Sequence, residues 1–250
     1  MIYDCFIFYN ELELLELRLA ELCSKVDKFV LVEAKKKFNG QEKPLFYLEN
    51  QAQFARFNDK IIHVVVDDFP ETSNAWVREI TQRNAVLRGL DNARPDDITL
   101  ISDVDEIPKI ENIINGISET DIHHLKQRFF YYKFNLLRGF SSRAIACKFK
   151  NLSITPHEAR MLHSASLIED AGWHFSYLMD ELRISDKIQS FSHQEFNKEE
   201  YYNAEKIKDR VDNNQDLFGR KNKEMKIVEL DSSFPSYLLN NMNKYKDFIG

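Results

Sequence analysis

Glycine and proline are scarce, with seven and six residues in a chain of 250. Long flexible linkers draw on these residues, so their scarcity argues for one continuous folded unit. Cysteines are fewer still. Cys5, Cys23 and Cys147 are odd in number, and no pair has the spacing of a zinc site. Neither a disulfide framework nor a cysteine metal centre is expected, and a reduced, intracellular compartment fits. No apolar run approaches the length that spans a bilayer. The opening residues MIYDCFIFYNELELLE lack the basic and apolar regions of a secretory signal. The expectation is a cytoplasmic protein, soluble or at most peripheral to a membrane. Positive charge is also short, with 34 Lys and Arg against 40 Asp and Glu, a net charge of −6. That balance argues against broad nucleic-acid binding, which needs a basic face, but is compatible with a local basic pocket for phosphate. There is no internal repeat and no low-complexity tract.

What is present is an alternation of strand and helix signals. Tyr3 to Phe8 is β-prone. In Glu11 to Leu22, the residues Leu12, Leu15, Leu19 and Leu22 step by three and four and predict one apolar helix stripe. Phe29 to Val32, Ile61 to Val66 and Ile98 to Ile101 predict short buried strands, and Trp76 to Ala93 predicts a helix. Over the first 110 residues this is the pattern of βα units around a mainly parallel sheet. Residues 111–196 add an aromatic strand, QRFFYYKF (127–134), with Cys147 to Ile154 as its candidate partner, and the segment EDAGWHFSYL. From about Asn197 the composition turns polar and predicts a C-terminal helical layer within the same domain.

In parallel α/β sheets, ligands sit beyond the carboxyl ends of the strands. The stretch LISDVDEIP (100–108) places Asp103, Asp105 and Glu106 at such an end, as VVVDD places Asp67 and Asp68. Carboxylates so close repel one another. Asp103 and Asp105, at i and i+2, can face the same way and share a hard cation such as Mg²⁺ or Mn²⁺. A solvated acidic turn is the plain alternative. Arg83 falls on the apolar stripe Trp76, Ile80, Leu87 and Leu90, and a guanidinium there needs an anion: Asp103 or a bound phosphate. His174, in GWHFSY, is a core histidine or a third metal ligand, and His193, in FSHQEF, is its rival. Glu169 and Asp170 are carboxylates available as a general base, or an exposed acidic turn.

The segments YDCFIFYNELELLELRL, VDKFVLVEAKKKFNG, DKIIHVVVDDFP, WVREITQRNAVLRGL, LISDVDEIP, AGWHFSYL and KIQSFSHQEF together resemble glycosyltransferase family 17, in order, over residues 2–196. The best-known activity of that family adds the bisecting N-acetylglucosamine to N-glycans. The resemblance implies a GT-A-like α/β fold, a UDP-sugar donor and a glycan or glycoconjugate acceptor. It also implies a divalent metal (Mn²⁺ or Mg²⁺) and inversion at the anomeric carbon. It makes Asp103 and Asp105 the DxD motif at the metal and nucleotide-sugar, brings Arg83 to the diphosphate and favours His174 as a metal ligand. It further suggests Glu33 for uridine or ribose contact and Glu169–Asp170 as the base motif. Aromatics of 129–134 and Trp173 are candidate stacking faces for the acceptor sugar. Unlike the animal enzymes, this sequence begins at the catalytic domain, which points to a cytoplasmic enzyme with a different acceptor. The rival classes are a non-catalytic sugar-binding module on the same fold and a phosphatase of the HAD type. The latter also sets DxD at a strand end but wants Thr or Val where Ile107 stands.

Overall fold

The computed structural model describes residues 1–220 and 224–250. Twelve strands among these residues form two sheets. The larger sheet has seven strands in the order β10-β6-β9-β4-β1-β2-β3. Its parallel centre consists of β1 (Ile2–Phe8), β2 (Lys28–Ala34), β3 (Ile61–Val66) and β4 (Ile98–Asp103). β9 (Ile145–Lys148) runs antiparallel between β4 and β6 (His123–Leu125), and β10 (Ser166–Ile168) closes the edge. The smaller sheet has the order β12-β8-β7-β11-β5. It contains β5 (Glu106–Pro108), β7 (Gln127–Tyr131), β8 (Leu136–Ser141), β11 (Gly172–Ser176) and β12 (Lys226–Ile227). The expected α/β architecture with a mainly parallel central sheet is therefore the one found.

The helices are α1 (Leu12–Leu22), α2 (Phe46–Asn50), α3 (Ala75–Asn84), α4 (Ile110–Gly116), α5 (Pro156–Arg160), α6 (Glu181–Ser190), α7 (Glu199–Tyr202), α8 (Ala204–Asp212) and α9 (Ser236–Asn240). The leucine stripe of α1 buries Leu15, Leu19 and Leu22 in the main core, each worth about 1.5–3 kcal/mol. Asn74 caps α3 by accepting from the Trp76 amide at 3.0 Å, one of the orphan donors of a helix start.

Three expectations are corrected. The helix expected over Trp76 to Ala93 ends at Asn84 and continues as a 3₁₀ turn over Ala85–Gly89. Trp76 and Leu87 stay exposed, whereas Gln82 and Arg83 are buried. Gln82 is held there because its side-chain amide donates to the carbonyls of Val32 (2.9 Å) and Phe8 (3.3 Å) at the sheet's rim. The 147–154 segment does not pair with the aromatic strand. β9 joins the large sheet, and β7 takes β8 as its antiparallel neighbour, because a short turn links those two directly. The tail is not purely helical either, since β12 adds to β8 in the smaller sheet.

One glycine fixes how two strands of the smaller sheet pair beside the DVDE turn. Gly172 opens β11 at φ +138°, and a Cβ placed on it would lie 2.2 Å from the Ile107 carbonyl oxygen in β5. β11 can approach β5 only because this residue has no side chain. Gly172→Ala is expected to cost about 1–3 kcal/mol. A urea midpoint unchanged from the wild type would disprove that packing.

Candidate active site

The strand β4 delivers Asp103 to the rim of the large sheet, and the chain then turns tightly through Val104 into β5. The turn is built on arginine. Arg18, on the buried face of α1, is fully buried and donates to three backbone carbonyls of the turn: Asp103 (2.9 Å), Val104 (3.2 Å) and Glu106 (3.0 Å). Its remaining N–H groups grip the buried Asp4 carboxylate (2.6 and 2.8 Å) and Ser102 Oγ (2.6 Å). Three carbonyls that the turn would leave orphaned in the core are thereby satisfied.

A second arginine neutralises the acidic side chains. Arg160 donates from Nη1 to Glu106 Oε2 (2.7 Å) and from Nη2 to Asp103 Oδ2 (3.1 Å). It ends α5, a five-residue helix that would be unstable alone. Pro156 at its first turn and the Thr155–Glu158 capping box set it in place. Glu106 is almost wholly buried, and its Oε2 also accepts from the Asp103 amide at 2.8 Å. It braces the turn and does not face a ligand.

Arg83 completes the ring. Its Nη2 lies 3.1 Å from Asp103 Oδ1, and its Nη1 donates to Glu79 Oε1 at 2.7 Å. The anionic partner expected for Arg83 is thus Asp103 itself. Burial alone would raise the Asp103 carboxyl, but Arg160 and Arg83 override it and hold the group well below the usual carboxylate range. Glu79 in turn accepts from Ser192 Oγ, which ties the segment after α6 to the same network.

Asp105 faces a different pair of cations. Its Oδ1 is 3.7 Å from His174 Nε2, and its Oδ2 is 3.7 Å from Lys187 Nζ. Lys187 also donates to Glu11 Oε1 at 2.8 Å. The pairing of β11 with β5 sets His174 opposite Glu106, and the Phe175 amide donates to the Asp105 carbonyl at 2.9 Å. Burial opposes charge on both Asp105 and His174. Their mutual attraction outweighs it, so the Asp105 carboxyl is lowered and the imidazole is raised.

These groups line one cavity of about 490 Å³ that also reaches Phe8, Tyr9, Lys37, Phe191, His193 and Phe218. Among the described residues, its lining carries seven ammonium or guanidinium groups and four carboxylates. The whole chain has the opposite balance. At the far end Arg220 donates to Asp216 (3.0 Å) and to Tyr131 Oη (2.9 Å). A positive, partly apolar cleft with two carboxylates at a strand end suits a ligand with both phosphate and sugar parts.

Arg83, Asp103, Asp105 and His174 are therefore brought together, and His193 lines the same cavity. Glu33 is not with them. It is fully buried, accepting from the Tyr47 amide at 3.1 Å and facing His63 Nε2 at 3.2 Å and Lys43 Nζ at 3.7 Å. Strand alternation turns it toward α2 and away from the cavity. Glu169 and Asp170 also lie outside the lining. They are exposed at the surface and paired with Lys126 (3.0 Å) and Lys109 (2.6 Å). Phe130, Phe134 and Trp173 belong to the core, and of the 129–134 strand only Tyr131 reaches the cavity. The expected ligand trio of Asp103, Asp105 and His174 is not formed, because two arginines take Asp103. Among the described residues no three His, Cys, Asp or Glu side chains converge as a metal set. Asp105 and His174 alone still fit an ion. Their 3.7 Å separation is too long for a hydrogen bond and lies within the span of two ligands each about 2.0–2.2 Å from one metal.

Paired aspartates at the end of a parallel strand, opening on a cleft lined with Lys and Arg side chains, stand where open α/β sheets bind their ligands. The sequence profile of glycosyltransferase family 17 matches residues 1–249, and the chain belongs to that family. It is similar to the "Beta-1,4-mannosyl-glycoprotein 4-beta-N-acetylglucosaminyltransferase" of Homo sapiens, 30% identical over 132 residues, covering 47% of this chain and 25% of that one. The Rattus norvegicus protein of the same name is also 30% identical over 132 residues, covering 47% and 24%. The chain thus spans about a quarter of the length of these relatives. Among solved structures, a mannosyltransferase from Pyrobaculum calidifontis, in complex with GDP-Man and Mn²⁺, aligns with a TM-score of 0.42 and 10% identity, covering 76% of this chain and 61% of that one.

Proposed function

We propose that this glycosyltransferase moves N-acetylglucosamine from a UDP-sugar to a hydroxyl of a glycan acceptor. The observation that carries the reading is the charge of the cavity. Its lining carries seven cations, six of which already have a carboxylate partner, and Arg83 and Lys187, which stand beside Asp103 and Asp105, are the groups a diphosphate would engage. Lys187 and Arg83 stand where charge develops as the bond from the anomeric carbon to the diphosphate breaks. Asp105 and His174 are the residues that would hold a divalent cation, with substrate phosphate and water completing its shell. Such a cation, when bound, supplies Lewis-acid stabilisation of the departing UDP. The aromatic side chains Phe191 and Phe218, which stack on each other in the lining, offer the acceptor sugar an apolar face.

The test is UDP release from UDP-GlcNAc, with Mn²⁺ and with EDTA. Slow transfer to water gives a signal without the natural acceptor. Metal-stimulated release of UDP is the expected result. A protein that neither releases UDP nor binds any uridine nucleotide by calorimetry would overturn the reading.

A further inference from the structure

Six of the seven cations lining the cavity have a carboxylate within salt-bridge reach. Lys36 has Glu42, Lys37 has Asp186 and Lys43 has Glu33, while Arg83, Lys187 and Arg220 are paired as described above. Arg143 is the seventh. Among the described residues its guanidinium meets no carboxylate, and its hydrogen-bond partner is Met161 Sδ at 3.9 Å, a weak acceptor.

Its place in the fold is fixed. Arg143 precedes β9, whose antiparallel register sets Ile145 opposite Ile101 of β4. Two residues further along each strand come Arg143 and Asp103, so both leave the sheet at the same edge, and both line the cavity. Asp103 is already shared by Arg83 and Arg160 and has no oxygen left without a guanidinium partner. Among the described residues Arg143 is thus the cation of the lining with no carboxylate of its own, and an anionic ligand in the cavity would supply the missing partner. A guanidinium fork matches phosphate oxygens in geometry as well as in charge.

We propose that Arg143 binds the terminal phosphate of the nucleoside diphosphate, the one that carries the sugar in the donor. This rests on the nucleotide-sugar reading above and adds a residue that sequence reasoning did not single out. The residue is exposed and makes no ion pair, so its replacement leaves folding intact, which a thermal melt checks.

Calorimetric titrations of UDP, UMP and inorganic pyrophosphate into the wild type, Arg143→Ala and Arg143→Lys, in one Mg²⁺ buffer, decide the matter. Arg143→Ala is expected to weaken UDP and pyrophosphate by about 10–100-fold, the value of a charge-assisted hydrogen bond. UMP should change by less than about twofold. Arg143→Lys should fall between, keeping the charge but losing the fork. Equal weakening of UDP and UMP, or no weakening of either, overturns the assignment while leaving the transferase reading in place. A wild type that binds no uridine nucleotide overturns the transferase reading, and the pyrophosphate series then still decides the role of Arg143.

Discussion

Arg18→Met is expected to lower folding stability by about 3–5 kcal/mol, the cost of leaving a buried charge without its partner. Asp4 is fully buried with Arg18 as its salt-bridge partner, and the methionine would strand that carboxylate. The three carbonyls of the DVDE turn would lose their donor at the same time. The effect on the site should therefore exceed the effect on the rest of the fold, with UDP binding lost before the protein unfolds. Urea denaturation gives the stability. The double variant Asp4→Asn, Arg18→Met is the control, because removing the stranded charge should restore part of the loss. A single-variant loss below about 1 kcal/mol would show that Arg18 does not organise the turn.

Asp105→Asn is expected to reduce UDP release by at least about 10²–10³-fold, since Asp105 would hold the cation that stabilises the developing negative charge, and losing one such stabilising contact costs about 3–4 kcal/mol. Stability should hardly change. Asp105 faces His174 and Lys187 at 3.7 Å, and Lys187 keeps its closer bond to Glu11. The asparagine retains shape and removes the charge that steadies the protonated imidazole, so the His174 pKa should fall toward its ordinary value. NMR titration of the imidazole and the release assay read the two effects separately. Full activity in this variant would remove Asp105 from the chemistry and would leave Asp103, locked between arginines, as a structural residue as well.

β2, β3 and β4 were legible because each is a short apolar run ending in charge, and the DVDE cluster was legible because it stands at such an end. Asp103 was one of the two anionic partners expected for Arg83 on an apolar stripe, although the stripe itself leaves Trp76 and Leu87 exposed. The same argument applied to α1 points to Arg18, which sits between Leu15 and Leu19 on the leucine stripe. Arg160 carried a weaker signal, the Thr155–Glu158 capping box, which marks a helix start but says nothing of its destination. Lys187 opens the segment KIQSFSHQEF, but nothing local gave its role, since its two carboxylate partners lie more than 80 residues away in sequence. Glu33 and the Glu169–Asp170 pair misled for a common reason. Closeness to a strand end places a backbone near the rim, whereas the direction of a side chain depends on neighbours the local pattern does not specify. In Glu33 these are Tyr47, His63 and Lys43.

The arrangement of charge makes the protein's electric field depend on scale. From a distance a body of charge −6 repels anions, and a nucleic acid strand, too wide for a cavity of about 490 Å³, meets only that repulsion. At the mouth, low-dielectric walls focus the field of the inner cations, and a small di- or trianion is drawn in. Salt near physiological strength screens the outer repulsion over about 8 Å but reaches the recessed cations less. The cavity can thus remain open to small phosphates amid larger polyanions, with size as the filter and charge as the lure.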